Sequence, residues 1–177
     1  MKDIVYRKLS MFELKRIEEI ERAELITHIY YMREGQLVLD EERWDLRRWP
    51  PDDLPGIKDN LRTCLVEGGA AWGAIAGDRL VGMAVLDGRW YGKAGDTLDM
   101  YFLHVSDGYR HQGIGKILFD KIRERAMKMG AKRLFVSGLP SLNTIRFYQA
   151  MGFNIAEEVD PILSAREPED IHMDMVL

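Results

Sequence analysis

The stretch from Asp96 to Ser137 constrains the fold most. A strand-like run, Asp96 to Ser106, is followed by an amphipathic segment from about Gly113 to Met129 and by a second apolar run, Arg133 to Ser137. Ile114, Ile117, Leu118, Ile122 and Ala126 recur at helical spacing, and Gly130 is a natural helix stop. Strand, helix and strand in that order predict a parallel pair joined by a right-handed crossover. Upstream, Ala70–Ala76 and Leu80–Leu86 flank Gly77-Asp78-Arg79, which reads as an antiparallel hairpin. The sheet is therefore mixed and largely antiparallel, and the class is α/β with α+β character.

The remaining chain fills in around that frame. Residues 3–9 read as a strand. Ser10 and Glu13 fit a capping box, and the helix after it carries Leu14, Ile17 and Ile20, running on to Leu25 and Ile29. Residues 30–60 look irregular: Tyr30, Tyr31, Trp44 and Trp49 lie among acidic residues, and Pro50-Pro51 and Pro55-Gly56 break regular structure. A short helix is expected over 58–67, a second amphipathic helix from Ser141 to about Gly152, and strands over 153–159 and 171–177. This predicts one domain over residues 1–177, with six to seven strands and about four helices.

Composition narrows the classes. The 177 residues are 46% apolar and 31% charged, with a formal charge of −4. A chain of this length buries roughly 70% of its unfolded surface and needs no staple. Cys64 is the only cysteine, which excludes a disulfide framework and disfavours structural zinc. No metal site is expected. No run approaches the ~18 apolar residues of a membrane span. The start, Met1-Lys2-Asp3-Ile4, lacks a secretory cleavage site, so the expected location is cytoplasmic. Net acidity argues against nucleic acid as a partner.

The loop before the long helix carries chemistry. Arg110-His111-Gln112-Gly113-Ile114-Gly115-Lys116 ends a strand and opens a helix. The first amides of a helix lack internal acceptors, and the macrodipole adds positive charge there. Glycines at 113 and 115 let a phosphate approach the backbone. Arg110 and Lys116 are placed to add charge at the rim. Neither the dinucleotide pattern nor the P-loop fits: Leu118 stands where the former needs a third glycine, and Ile117 where the latter needs Ser or Thr.

Residues Arg110 to Gly115 resemble the [QR]-x-x-G-x-[GA] signature of the GNAT superfamily of acyl-CoA-dependent N-acetyltransferases. A second stretch, Ser141 to Phe153, resembles that family's N-x-x-x-x-[FY]-Y-x-x-x-G-F helix with altered spacing. The resemblance implies a GNAT-like domain whose two parallel strands splay apart, with acetyl-CoA as cosubstrate between them. Backbone at Leu103, His104 and Val105 would then pair with pantetheine. The 110–115 segment (Arg110, His111, Gln112, Gly113, Ile114, Gly115), with Lys116, would hold pyrophosphate, and Asn143 would contact the CoA arm. Tyr148 matches the family's phenol near the thioester sulfur.

A phenol titrates near 10 and a thiol near 8.5, so full proton transfer to a thiolate is uphill by about 2 kcal/mol, and Tyr148 reads first as a hydrogen-bond donor to the leaving group. At pH 7 only about one in 10³ lysine-like amines is neutral, so a base near the attack site helps. The family places bases at positions matching Asp99 and Tyr101, which on strict alternation share a face with Leu103 and Val105. His104 should face the other way. Tyr30, Tyr31, Trp44 and Tyr101 are candidates for an acceptor wall. The acceptor would be a small-molecule or protein amine, attacked directly in a ternary complex, and a homodimer is plausible from the family. The alternatives are a non-catalytic CoA-binding regulatory or interaction module, and a domain that binds no nucleotide.

Overall fold

Alternation along the hairpin at 70–86 sorts side chains onto two faces. Ala70, Trp72, Ala74 and Ala76 meet the apolar stripe of the long helix, Ile114, Leu118, Ile122 and Ala126. Ala71 and Ile75 meet Leu14, Ile17 and Ile20 of the first helical segment together with Leu61 and Cys64. Both faces of these strands are therefore buried, and helical segments cover each.

The computed structural model describes residues 3–177. In chain order the elements are β1 (Ile4–Leu9), a 3₁₀ helix (Met11–Glu19), β2 (Glu24–Arg33), β3 (Gln36–Leu46), α1 (Leu54–Val66), β4 (Ala70–Ala76) and β5 (Arg79–Leu86). Then come β6 (Thr97–Asp99), β7 (Phe102–Val105), a 3₁₀ turn (Asp107–Tyr109), α2 (Ile114–Met129) and β8 (Arg133–Gly138). α3 (Leu142–Ala150), β9 (Asn154–Ile155), α4 (Pro161–Arg166) and β10 (Ile171–Val176) complete the chain. One sheet has the order β1-β4-β5-β7, a second β6-β8-β10-β9, and β2-β3 form a separate ribbon. Among the described residues only β6 and β8 pair in parallel; the other pairings are antiparallel. The mixed α/β class and the crossover through α2 stand as expected.

Several boundaries differ, each for a local reason. The first helix stops at Glu19 and does not run on to Leu25 and Ile29. Those residues belong to β2, where a bulge between Ile26 and His28 puts the buried residues Ile26 and Ile29 three apart. A bulged strand thus mimics helical spacing. The region expected to be irregular is a long hairpin, closed by Glu34 (φ 50) and Gly35 (φ 76), a two-residue turn with both φ positive. Helix α1 starts at Leu54, earlier than expected, because Pro55 sits in its first turn, where no amide is needed. The strand expected over 153–159 shrinks to two residues. Asp160 then accepts from the Ile162 amide at 2.9 Å and starts α4.

The capping pair survives in modified form. The Ser10 amide and hydroxyl both donate to Glu13 at 3.0 Å. Arg7 also grips Glu13, and that contact first, then the Ser10 amide, draws its carboxyl down to about 2.

Candidate active site

β6 and β8 run together from Thr97 opposite Arg133 to Asp99 opposite Phe135, and the Met100 amide donates to Phe135 O at 2.9 Å. Beyond that point the strands part. β7 follows β5, while β8 follows β10. β7 is an edge strand of its sheet. The Ser106 amide donates to Val81 O at 2.8 Å, so alternation turns the amides of Leu103 and Val105 toward the open edge.

The strand expected over 96–106 is broken at Met100-Tyr101, and the break changes which side chains share a face. Leu98 and Met100 pack in the α2-side core together with Leu103 and Val105. Tyr101 and Phe102 pack on the opposite core. Asp99 and Tyr101 therefore do not share a face with Leu103 and Val105. One residue has been inserted into the alternation, as a bulge does. His104 consequently lies on the Phe102 side, its ring 4.9 Å from Trp49. Burial first, then Arg110 and Arg22, push its imidazole down to about 3, and its Nε2 is buried without a partner. It is a neutral packing group.

Where the strands part, a cavity of about 170 Å³ opens, lined among others by Asp99, Tyr101, Ser137, Arg166, Glu167 and Asp170. Asp99 is 4% exposed. Burial raises its carboxyl to about 7; the Arg166 cation opposes that shift and the Asp87 charge adds to it. Asp170 is also raised to about 7, by burial and then by Glu167. Tyr101 is raised by burial. Tyr148 is 7% exposed, its ring against Phe147 and Phe153, and its hydroxyl has no hydrogen-bond partner among the described residues. Burial, then Asp170 and Asp99, raise this phenol. Gly138 makes the ring position possible, since a Cβ there would sit 3.2 Å from the Tyr148 ring.

The loop before α2 has the open amides that a phosphate cradle needs. The Arg110 amide donates to Asp107 O, and the next amide with an internal acceptor is Ile117, donating to Gly113 O. The amides from His111 to Lys116 have no acceptor among the described residues. His111 (φ 60) and Gly113 (φ 82) are left-handed, which turns successive amides to one side. A Cβ on Gly113 would meet no protein atom within 4 Å, so the space in front of it is open. A CoA diphosphate fits this donor set.

The side chains of that loop are placed differently from the expected charged rim. Arg110 turns back: its Nε donates to Val105 O at 3.0 Å and its Nη1 lies 3.4 Å from Glu24. Lys116 pairs with Asp120 at 2.7 Å. Gln112 donates to Gly108 O at 3.3 Å, and the Ile114 side chain is in the core. The loop's donors are its main chain. On α3, Ser141 caps the helix by accepting from the Thr144 amide at 3.2 Å. Asn143 is exposed and makes no side-chain hydrogen bond among the described residues, so it is not needed for the cap.

Residues 24–153 match the Acetyltransferase (GNAT) family. The chain belongs to the GNAT acetyltransferase family. No curated protein sequence matches it. Among solved structures, the enzyme is similar to a nourseothricin acetyltransferase (21% identity, TM-score 0.72, 98% of each chain covered). It is also similar to a PaiA N-acetyltransferase from Thermoplasma acidophilum in complex with coenzyme A (17% identity, TM-score 0.65, 99% of each chain). A GNAT-family acetyltransferase from Staphylococcus aureus Mu50 matches at 17% identity and TM-score 0.65, with 99% of each chain covered. These likenesses show the fold. No helix among the described residues is long and apolar enough to cross a membrane.

Of the expected acceptor wall, the enzyme brings only Tyr101 to the cavity. Tyr30 packs against the core and its amide donates to Pro140 O at 2.7 Å. The Tyr31 hydroxyl donates to Glu42 at 2.5 Å on the exposed ribbon, and Trp44 sits on β3, half-buried. None of the three lines the cavity. In their place stand Arg166, Glu167 and Asp170, from a segment whose helix went unread. Its one local signal was Asp160-Pro161, an N-cap followed by a helix-starting proline.

Proposed function

We propose that the enzyme moves an acetyl group from acetyl-CoA to a primary amine by direct attack, with Asp99 as the base and Tyr148 as hydrogen-bond donor to the leaving sulfur. The observation that carries this reading is a buried carboxylate, raised to about 7, on the wall of the cavity where β6 and β8 part. For the CoA arm this reading uses the outward amides of Leu103 and Val105 on the edge of β7, the free amides from His111 to Lys116, and Asn143 on α3.

An ordinary carboxylate at 3.8 would take a proton from a lysine-like ammonium at a penalty of roughly 9 kcal/mol, and a carboxylate near 7 at roughly 5. Asp99 at about 7 is still half ionised at neutral pH. The neutral amine then attacks the thioester carbonyl. The new C–N bond forms, the C–S bond breaks, and the sulfur leaves with the electron pair. The nitrogen loses its second proton to water, because Asp99 already carries the first.

Tyr148, raised by burial, is a poorer acid than a free phenol. Donating a hydrogen bond to the developing thiolate needs no proton transfer and suits it better. With Asp99, Glu167 and Asp170 against Arg166, the cavity favours a cationic acceptor.

The test is a thiol-release screen of amines with acetyl-CoA, comparing wild type with Asp99→Asn and Tyr148→Phe. Turnover should appear with at least one amine class and fall in both variants while CoA binding persists. Equal turnover in Asp99→Asn would refute the base assignment.

A further inference from the structure

Beside the cavity, Asp99 adjoins a network of Asp87, Arg89, Tyr91 and Arg166. Asp87, fully buried after β5, accepts from Arg89 through both carboxylate oxygens, at 3.0 and 3.1 Å from Nε and 2.7 Å from Nη2. It also accepts from the Arg89 amide at 3.1 Å and the Tyr91 hydroxyl at 2.8 Å. Asp87 is therefore saturated by its own loop. Arg166, from the end of α4, reaches the same place. Its Nη2 donates to the Tyr91 hydroxyl, and its Nη1 lies 3.2 Å from Asp99 Oδ2 and 3.5 Å from Asp87 Oδ2. Two buried carboxylates face two guanidiniums, and the geometry assigns Arg89 to Asp87 and Arg166 to Asp99.

The two pairs differ in one respect. Arg89 covers both oxygens of Asp87. Arg166 touches only Oδ2 of Asp99, and Oδ1 has no partner among the described residues, although Asp99 lines the cavity. We propose that Arg166 is a positioning residue for acetyl transfer: anchored by Tyr91, it clamps one oxygen of Asp99 and leaves the other facing the acceptor amine. The inference rests on Asp99 being the base. The other ionisable groups around Asp99 are Asp87 and Arg89 behind it, Cys64 on α1, Tyr148 on α3, and Tyr101, Glu167 and Asp170 around the cavity. Arg166 is the cation in contact with it.

The experiment reads Asp99 directly. Aspartate carboxyl carbons are ¹³C-labelled in the full chain, Asp99→Asn identifies the resonance, and its titration is followed by NMR in wild type, Arg166→Lys and Arg166→Met. Cooperative urea unfolding checks that each variant is folded. Removing the cation should raise the Asp99 midpoint by about one pH unit or more, which cuts the ionised fraction at pH 7 about fivefold. Arg166→Lys keeps the charge without the second anchor, and its midpoint should fall between the other two.

If Arg166→Met does not fold, Arg166→Lys decides. A folded variant with an unmoved midpoint overturns the assignment. The acid limb of turnover should move with the midpoint. Acetyl transfer with an unmoved midpoint refutes the role of Arg166 alone. A moved midpoint with no thiol release from any amine refutes the acetyl-transfer reading alone.

Discussion

Replacing Asp99 by Asn should trade activity for a pH-dependent gain in stability. The carboxyl moves from an ordinary 3.8 to about 7 in the folded chain, through burial against the pull of Arg166. Its folded value lies above its unfolded value, so the protonated form favours the native state. That contribution is full below about pH 4 and is lost as pH rises through 7. A displacement from 3.8 to about 7 is worth roughly 4 kcal/mol, a large share of a typical domain's stability. Asn cannot ionise and carries no such dependence. It also leaves Arg166 with only Tyr91 and the more distant Asp87, an offset that does not itself vary over this pH range.

The slope is therefore the decisive quantity. The unfolding free energy of Asp99→Asn minus that of wild type should rise by roughly 4 kcal/mol from pH 4 to pH 8. Urea denaturation across that range measures it, with Asp170 common to both proteins and cancelling. Turnover should fall by about 10² or more. A stability difference that is flat with pH would refute the buried-carboxyl argument, even if activity were lost.

Tyr148→Phe removes a hydroxyl with no partner among the described residues, so the melting temperature should hold within a few degrees while turnover falls about 10- to 100-fold at unchanged CoA affinity. Gly113→Ala forces a side chain into φ 82, which should lower stability by about 1–2 kcal/mol and weaken CoA binding, read by calorimetry and thermal shift. Acetyl-CoA at 100 times its dissociation constant should stabilise wild type by about 2.7 kcal/mol, and an unchanged melting temperature would count against the cradle. The acid limb of the rate profile should lie near pH 7, rising with pH as Asp99 ionises.

The parts of the fold legible in the sequence were those with unbroken periodicity: the stripe of α2 between Gly113 and Gly130, the tight hairpin at 70–86, and the apolar run of β8. The loop of open amides before α2 was legible because glycine spacing and helix position are both local. The ribbon of β2 and β3 was hidden because the bulge at Ile26–His28 spaces buried residues as a helix would. Of the proposed base and donor, both singled out by the sequence, Asp99 lines the cavity. The cavity was not legible at Arg166, Glu167 and Asp170, because their role depends on a tertiary meeting: α4 comes against Tyr91, Phe135 and Asp99 through the contact of Leu163 and the reach of Arg166. No periodicity in the segment encodes that meeting.

One irregularity accounts for most of the site. Had strict alternation held from Met100 to Val105, the amides of Leu103 and Val105 would face β5 and not the open edge. The extra residue at Met100-Tyr101 instead hands the chain from one sheet to the other. It leaves Asp99 as the last residue paired with β8 and turns the amides of Leu103 and Val105 toward the open edge. The cavity beside Asp99 and the open edge of β7 thus lie at the same slip in register. Restoring the alternation by deleting Tyr101 should then remove CoA binding and the raised Asp99 midpoint together. Retention of either one in a folded deletion variant would show that the two do not share this cause.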